Sequence, residues 1–426
     1  MKQTIRNLLD FIADSTSPFH TVQSSEELLK DAGFTALSWS DDWHLSRGGR
    51  YYVSVYGSTL LAFAVGGQDG PLRMAAAHTD FPCLRLKPQA GMLKEGYGLL
   101  NVERYGGLIL RSWLDRPLSL AGKVVLRGLD AFHPETRLVD IGRPLLTIPS
   151  LAIHMDREVN EKGALNPQKD MLPLAAAFGR QKGLTAGYFL SWLALELGVP
   201  EDDILSYELS TYPAEQGTVL GLAGEMISSP RLDNLTSVFA CLKGLCAAEQ
   251  FAGIRLVALF DNEEVGSRTK QGAGSLVLPA LLSRIYRGLS LDEERMQRDL
   301  GEAFLLSVDV AHAVHPNYIE KSDPVVRPVL GGGLAIKQAA SQSYAGDAEA
   351  VAIIKELCAS HDIPCQFFVN RSDSRGGSTL GSIASALVPV RTMDVGVPIL
   401  AMHSARETMG AEDQEALMAL LRAFLA

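Results

Sequence analysis

The chain has 426 residues, 47% of them hydrophobic and 21% charged, with 39 Lys and Arg against 49 Asp and Glu and a formal net charge of −10. This length predicts two or three domains rather than one core, in a globular protein of ordinary composition. The acidic balance, with no basic stripe to contact phosphates, excludes nucleic acid as a partner, and an acidic substrate would need a local cationic pocket.

Helical spacing marks residues 5–12 and 21–32, the second begun by Ser17-Pro18 and stopped by Gly33. Residues 51–65 read as a hairpin turning at Gly57-Ser58, and 72–77 as a short apolar strand that stops at His78-Thr79-Asp80. From about 88 to 223, Gly-rich turns alternate with β-type runs at 106–113, 118–127, 144–153 and 204–211. Asp115-Arg116-Pro117 marks a turn between two of them, and one helical stretch, 184–197, interrupts. From 225 onward, helices at 234–250, 274–286, 344–360, 378–386 and 412–425 alternate with strands at 255–260, 304–310, 365–369 and 388–395. Alternating βα units imply a mostly parallel sheet covered by helices. The expected architecture is α/β: one domain over 1–87 and 225–426, interrupted by a β-rich domain over 88–224.

The five cysteines, Cys83, Cys241, Cys246, Cys358 and Cys365, are scattered and form no C-x-x-C pair, the pattern of free thiols in a reducing compartment. Residues 1–16 lack the continuous apolar core of a signal peptide, and no apolar run approaches the length of a membrane span. A cytoplasmic protein with no membrane partner is expected.

Chemistry-bearing side chains recur where apolar runs end. The stretch L-V-A-L-F-D-N-E-E-V-G-S (256–267) has the composition of a buried strand and closes in two adjacent acids, Glu263 and Glu264. In open α/β sheets that edge is where ligands bind. Neighbouring residues at a strand end point to opposite sides, so one glutamate can face a metal while the other handles a proton on water. His78 with Asp80, Asp233, Asp309 and His403 occupy similar positions. A ligating imidazole usually gives its second N–H to a carboxylate, and Asp80, two residues on and on the same side of an extended chain, is expected to reach back to His78 with its own. Asp309, inside the apolar run L-L-S-V-D-V-A, is costly to bury unless paired or metal-bound. The set suits two divalent ions with mixed nitrogen and oxygen ligands, zinc first, with cobalt or manganese also fitting and copper less so.

The stretches A-A-H-T-D-F-P (76–82), S-P-R-L-D-N-L (229–235), F-D-N-E-E-V-G-S (260–267), S-V-D-V-A-H-A-V-H-P-N-Y (307–318), R-S-D-S-R-G-G-S-T-L-G (371–381) and A-M-H-S-A-R-E (401–407) resemble the aspartyl aminopeptidase family. These are co-catalytic zinc metallopeptidases that include the yeast vacuolar aminopeptidase. The likeness keeps motif order over nearly the whole chain. It implies a metallopeptidase α/β domain interrupted by a β-rich domain, and a homo-oligomer, a tetrahedral dodecamer built from dimers.

Carried over position by position, the resemblance makes Asp233 the carboxylate shared by two metals. His78 and Asp309 complete one shell, and Glu264 and His403 the other. Glu263 becomes the general base and Asp80 the residue that orients His78. The Asp233–Asn234 peptide is expected to be cis. His154 is implied to reach a neighbouring subunit's site and steady the tetrahedral oxyanion, and His312 or His315 to support the site or an interface. The resemblance implies a peptide substrate losing its N-terminal residue, Asp or Glu as the family name implies or an apolar residue as in the yeast vacuolar relatives, with Lys337, Arg371 and Arg375 as the local positive charge an acidic residue would need. The competing readings are a dinuclear zinc carboxypeptidase or deacylase, which shares the His-x-Asp and Glu-Glu logic, and a non-catalytic assembly protein on the same fold.

Overall fold

The computed structural model describes residues 2–161, 163–181, 183–374 and 376–426. Contacts divide the chain into two compact units. The first comprises Met1–Asp80, Gly217–Met402 and Glu407–Ala426, and the second Phe81–Gln216 with His403–Arg406. The divisions at 80/81 and 216/217 fall a few residues before the 87/88 and 224/225 expected from texture.

In the first unit the apolar runs become a nine-stranded sheet. Its spatial order is Thr35–Ala36, Arg50–Val55, Thr59–Val65, Ala252–Phe260, Gln68–His78, Phe304–Val308, Arg391–Gly396, Leu334–Gln338 and Cys365–Val369. The four strands from Ala252–Phe260 to Arg391–Gly396 run parallel, and an antiparallel neighbour adjoins them on each side. Four parallel strands deliver four C-terminal ends to one sheet edge. Residues Leu256, Val257, Ala258, Leu259 and Phe260 are all buried, so this strand is covered on both faces and shows no polar alternation. On one face the helix Val277–Gly288 sets Leu281, Leu282 and Ile285 among Phe63, Leu256, Ala258 and Leu305. The helices Leu232–Cys246 and Ala411–Leu425 pack on each other, the former also against Gln68–His78. A Cβ on Gly244 would stand 2.8 Å from that of Leu421, so a larger residue would force these two helices apart. A five-stranded sheet, ordered Thr218–Leu220, Met226–Ser229, Glu407–Gly410, Pro398–Leu400 and Ala311–His312, completes this unit.

The second unit holds a six-stranded antiparallel sheet, ordered His133–Asp140, Leu118–Asp130, Ile204–Pro213, Cys83–Lys94, Tyr97–Tyr105 and Leu174–Ala177. The helix Tyr188–Leu197 contributes Phe189 and Leu193 to its core beside Leu84, Leu120, Val124 and Leu209. Two runs expected as strands are not. At 106–113 the chain turns through Gly106 at φ 75° into the 3-10 helix Leu110–Trp113, because the Ile109 N–H is taken by the His403 carbonyl rather than by a neighbouring strand. At 144–153 only single bridges form, Leu118 with Leu146 and Thr147 with Leu174. Pro144 and Pro149 have no N–H to give a ladder. The hairpin Cys83–Lys94 with Tyr97–Tyr105 was not legible, since its polar and glycine-rich outer face breaks the apolar pattern. Among the described residues, no helix is long and apolar enough to cross a membrane.

Candidate metal centre

The parallel register brings the site together. Phe260 lies opposite His78, and Ser307 opposite Ala76, which sets Asp309 level with His78 two residues further on. His78 and Asp80 are buried, and Asp233 and Asp309 nearly so. Asp309 gives its N–H to the Val395 carbonyl at 2.9 Å. A Cβ on Gly396 would overlap the Asp309 carbonyl, so only glycine lets that strand approach so closely.

Asp233 stands at the start of the Leu232–Cys246 helix in non-helical geometry, and the Asp233–Asn234 peptide is cis. Its N–H donates to buried Glu407 Oε2 at 3.0 Å, while the Asn234 side-chain amide donates to the Val308 carbonyl at 2.9 Å. Glu263 and Glu264 lie on a 3-10 turn entered through Asn262 at φ 63° and left through Gly266 at φ 98°. Asparagine tolerates the left-handed region that most side chains avoid.

Asp80 is the hinge of the arrangement. Its carboxylate accepts the N–H groups of Glu263 and Glu264, each at 3.1 Å. Its backbone carbonyl, rather than its carboxylate, makes the short contact to His78 Nδ1, at 2.9 Å against 3.4 Å. A carbonyl can only accept, so Nδ1 carries the proton and Nε2 is turned towards Asp233 Oδ1 at 3.3 Å and Asp309 Oδ1 at 3.6 Å.

His78, Asp233 and Glu264 each offer a ligand atom within 4.8 Å of one another. Ligand atoms bound at about 2.0–2.2 Å around a tetrahedral ion lie about 3.4 Å apart. The His78 separations are long for an N–H···O bond and match those of ligands sharing a cation. Charge balance agrees. Burial pushes the His78 pKa down, yet Asp233, Asp309 and Asp80 outweigh it and hold the imidazole well above its ordinary value. Burial, together with Asp309, Asp80 and Asp233, pushes Glu263 up to about 8 against the pull of His78. A pocket whose carboxylates raise the pKa of both its histidine and its glutamate is short of positive charge, and a divalent ion supplies it. The residues present therefore fit a metal.

The remaining expected residues lie as follows. Lys337 is buried, with its ammonium donating to the Val310 carbonyl at 2.8 Å and the Asp309 carbonyl at 3.2 Å, and standing 3.4 Å from Asp309 Oδ2. Arg371 is half-exposed, is paired with Asp373 at 2.6 Å and lines a cavity of about 830 Å³ with Gln338, Ser343 and Asn370. Arg375 lies outside the described residues. His154 is exposed in the second unit. His403, at φ 66°, packs with the second unit, its Nδ1 3.0 Å from the Gly107 carbonyl. His312 and His315 lie edge-on to Phe368 and against Tyr318. Sequence reasoning missed Glu407 as the acceptor for Asp233, because a single bond between residues 174 apart leaves no local trace.

The Aminopeptidase I zinc metalloprotease (M18) family model matches residues 11–425. A probable M18 family aminopeptidase 2 of Clostridium novyi is 44% identical over 432 residues, covering 100% of this chain and 99% of its own. Aspartyl aminopeptidase 4 of Saccharomyces cerevisiae is 38% identical over 458 residues, covering 98% of this chain and 94% of its own. A chain in the cryo-EM structure of the Ape4 and Nbr1 complex has the same fold, with a TM-score of 0.94 and 36% identity over 99% of this chain and 85% of that one. These likenesses favour the aminopeptidase over the carboxypeptidase, deacylase and scaffold alternatives. The chain belongs to the M18 family of zinc metalloproteases and is a metallo-aminopeptidase.

Proposed function

We propose that this chain hydrolyses the first peptide bond of peptides with two divalent ions, zinc before cobalt or manganese. His78, Asp309 and Asp233 would hold one ion, and Asp233, Glu264 and, on the resemblance alone, His403 the other. The observation that carries this reading is the convergence of His78, Asp233 and Glu264 ligand atoms within 4.8 Å. When bound, such ions lower the pKa of water and polarise a carbonyl.

The chain's own residues do the rest. Glu263 is the proton carrier: it takes a proton from the attacking water and returns it to the leaving amine, so water adds across the C–N bond. A glutamate carboxyl, which burial keeps from favouring its charged form, can accept a proton from water and release it again. Asp80 aims Glu263 by holding its N–H, and fixes His78 through its carbonyl.

Preference for Asp or Glu at the N-terminus is supported by the name of the yeast relative. Arg371 on the cavity wall is the accessible cation for it. His154, on an exposed segment, is free of the core and suits a role in trans in a dodecamer built from dimers. The S. cerevisiae mApe1 dodecamer is assembled from chains of this fold, TM-score 0.84 at 24% identity. The scatter of the five cysteines, with no C-x-x-C pair in the sequence, suits the cytoplasm.

The test is a rate series on Asp-, Glu-, Leu- and Ala-leading chromogenic substrates, each with free and blocked amine, at fixed zinc. Cleavage only of free-amine substrates is expected, fastest with Asp or Glu. Equal cleavage of blocked peptides would end the exopeptidase reading, and fastest cleavage of Leu would end the acidic preference.

A further inference from the structure

Lys337 stands in an unusual place for a residue that meets substrate. It lies on the strand Leu334–Gln338, antiparallel to Arg391–Gly396 with Ala335 opposite Gly396 and Ile336 opposite Val395. Continuing that register sets Lys337 beside Asp394, a fully buried carboxylate that accepts the Ser307 hydroxyl and the Ala345 N–H, each at 2.5 Å. An ammonium has three donors. Those of Lys337 meet the Val310 carbonyl, the Asp309 carbonyl and Asp309 Oδ2, and the ring of Tyr344 lies 4.7 Å away. The two shorter bonds go to backbone, on the two residues where the chain leaves the strand Phe304–Val308. Asp309 is thus held by the Val395 carbonyl on one side and by Lys337 on the other, with Oδ1 left facing His78. A substrate carboxylate could reach this ammonium only by displacing a bond the Asp309 loop depends on.

We propose that Lys337 is a positioning residue for the metal ligand Asp309, with Asp394 as its second counter-charge, and that it does not select acidic substrates. This rests on the reading of His78, Asp233 and Asp309 as one metal position. A buried cation that pins the loop through carbonyls fixes where the carboxylate points, and outer partners of metal ligands typically govern affinity by 10–100-fold.

The experiment uses the full chain, metal-depleted and then titrated with zinc against a chromophoric chelator, for the natural protein, K337M, K337Q and K337R. The expected result is a zinc affinity lowered about 10–100-fold in K337M and K337Q, with K337R recovering most of it. At saturating zinc, kcat should fall by the same factor on Asp- and Leu-leading substrates, with the ratio of their KM values unchanged. Thermal unfolding of the ion-free forms identifies which neutral variant retains the fold, and that variant carries the result. A folded neutral variant with zinc affinity within twofold of the natural protein, losing activity on Asp-leading substrates alone, overturns the proposal and makes Lys337 a specificity residue. Should the natural protein itself take up no zinc, the metal-site reading falls first and this proposal with it.

Discussion

The strand Gln68–His78 begins in one charged cluster and ends in another, and the two differ in kind. At its start, Asp69 pairs with Arg295 at 2.9 Å and with Arg47, and Arg295 pairs with Asp299 at 2.8 Å. Acids and bases match in number there, and the Asp69 and Arg47 side chains are about half exposed, 52% and 48%. The two arginines hold the Asp69 carboxyl below its ordinary range. At the strand's end, His78, Asp80, Asp233, Glu263, Glu264 and Asp309 gather with Lys337 as the permanent cation, most of them buried. There the carboxyl of Glu263 moves the other way, up to about 8. Balanced charge in water makes a surface salt-bridge network of modest value. Unbalanced carboxylates out of water demand a cation, and that demand is the signature of the functional edge.

Four perturbations test this contrast, in descending order of effect. Glu263→Gln keeps every proposed ligand and removes the proton carrier. It should lower kcat by about 10²–10⁴-fold with zinc content unchanged by elemental analysis. Turnover near the natural level would move the base elsewhere. Asp233→Asn removes the shared charge between the two proposed ions. Zinc affinity should fall by more than the roughly 10–100-fold typical of outer-shell partners, with kcat falling as the ions are lost. Retention of two tightly held zincs in that variant would contradict the bridging role.

The third perturbation is pH. A histidine whose folded pKa is raised contributes stability that is complete below its unfolded value of about 6.5 and is lost as pH rises through the folded value. The ion-free protein should therefore lose stability above neutral pH. Zinc should restore it, by about 2.7 kcal/mol at a hundredfold excess over Kd, with proton release on binding. Calorimetry in buffers of different ionisation enthalpy measures that proton, and its absence at pH 7 would remove the protonated His78. At the strand's other end, Arg295→Ala should cost only about 0.2–1 kcal/mol in urea unfolding and leave kcat/KM unchanged. A large loss of activity there would mean that the two clusters are coupled.

Much of the site was legible because buried parallel strands are continuous apolar runs. A histidine or acid at the end of such a run, as at His78, Glu263 and Asp309, is conspicuous against it. The strand Leu334–Gln338 was not, since Lys337 breaks its run, and its burial beside Asp309 is invisible without the neighbour. The local reading also aimed the Asp80 carboxylate at His78, two residues away. The structure gives it chiefly to the Glu263 and Glu264 N–H groups, and the carbonyl to His78.

The sequence by itself determined the α/β class, the order of the motifs and the residue types of a metal site, because these follow from periodicity and from the chemistry of single side chains. Only the tertiary structure decided which atoms of those side chains meet: Asp80's oxygen on Glu263's N–H, Lys337 on Asp309, Glu407 on Asp233, and the segment His403–Arg406 packed with the second unit. Each is a single contact between residues distant in the chain. Its energy depends on burial and geometry that the whole fold creates, and no local pattern in the sequence can carry it.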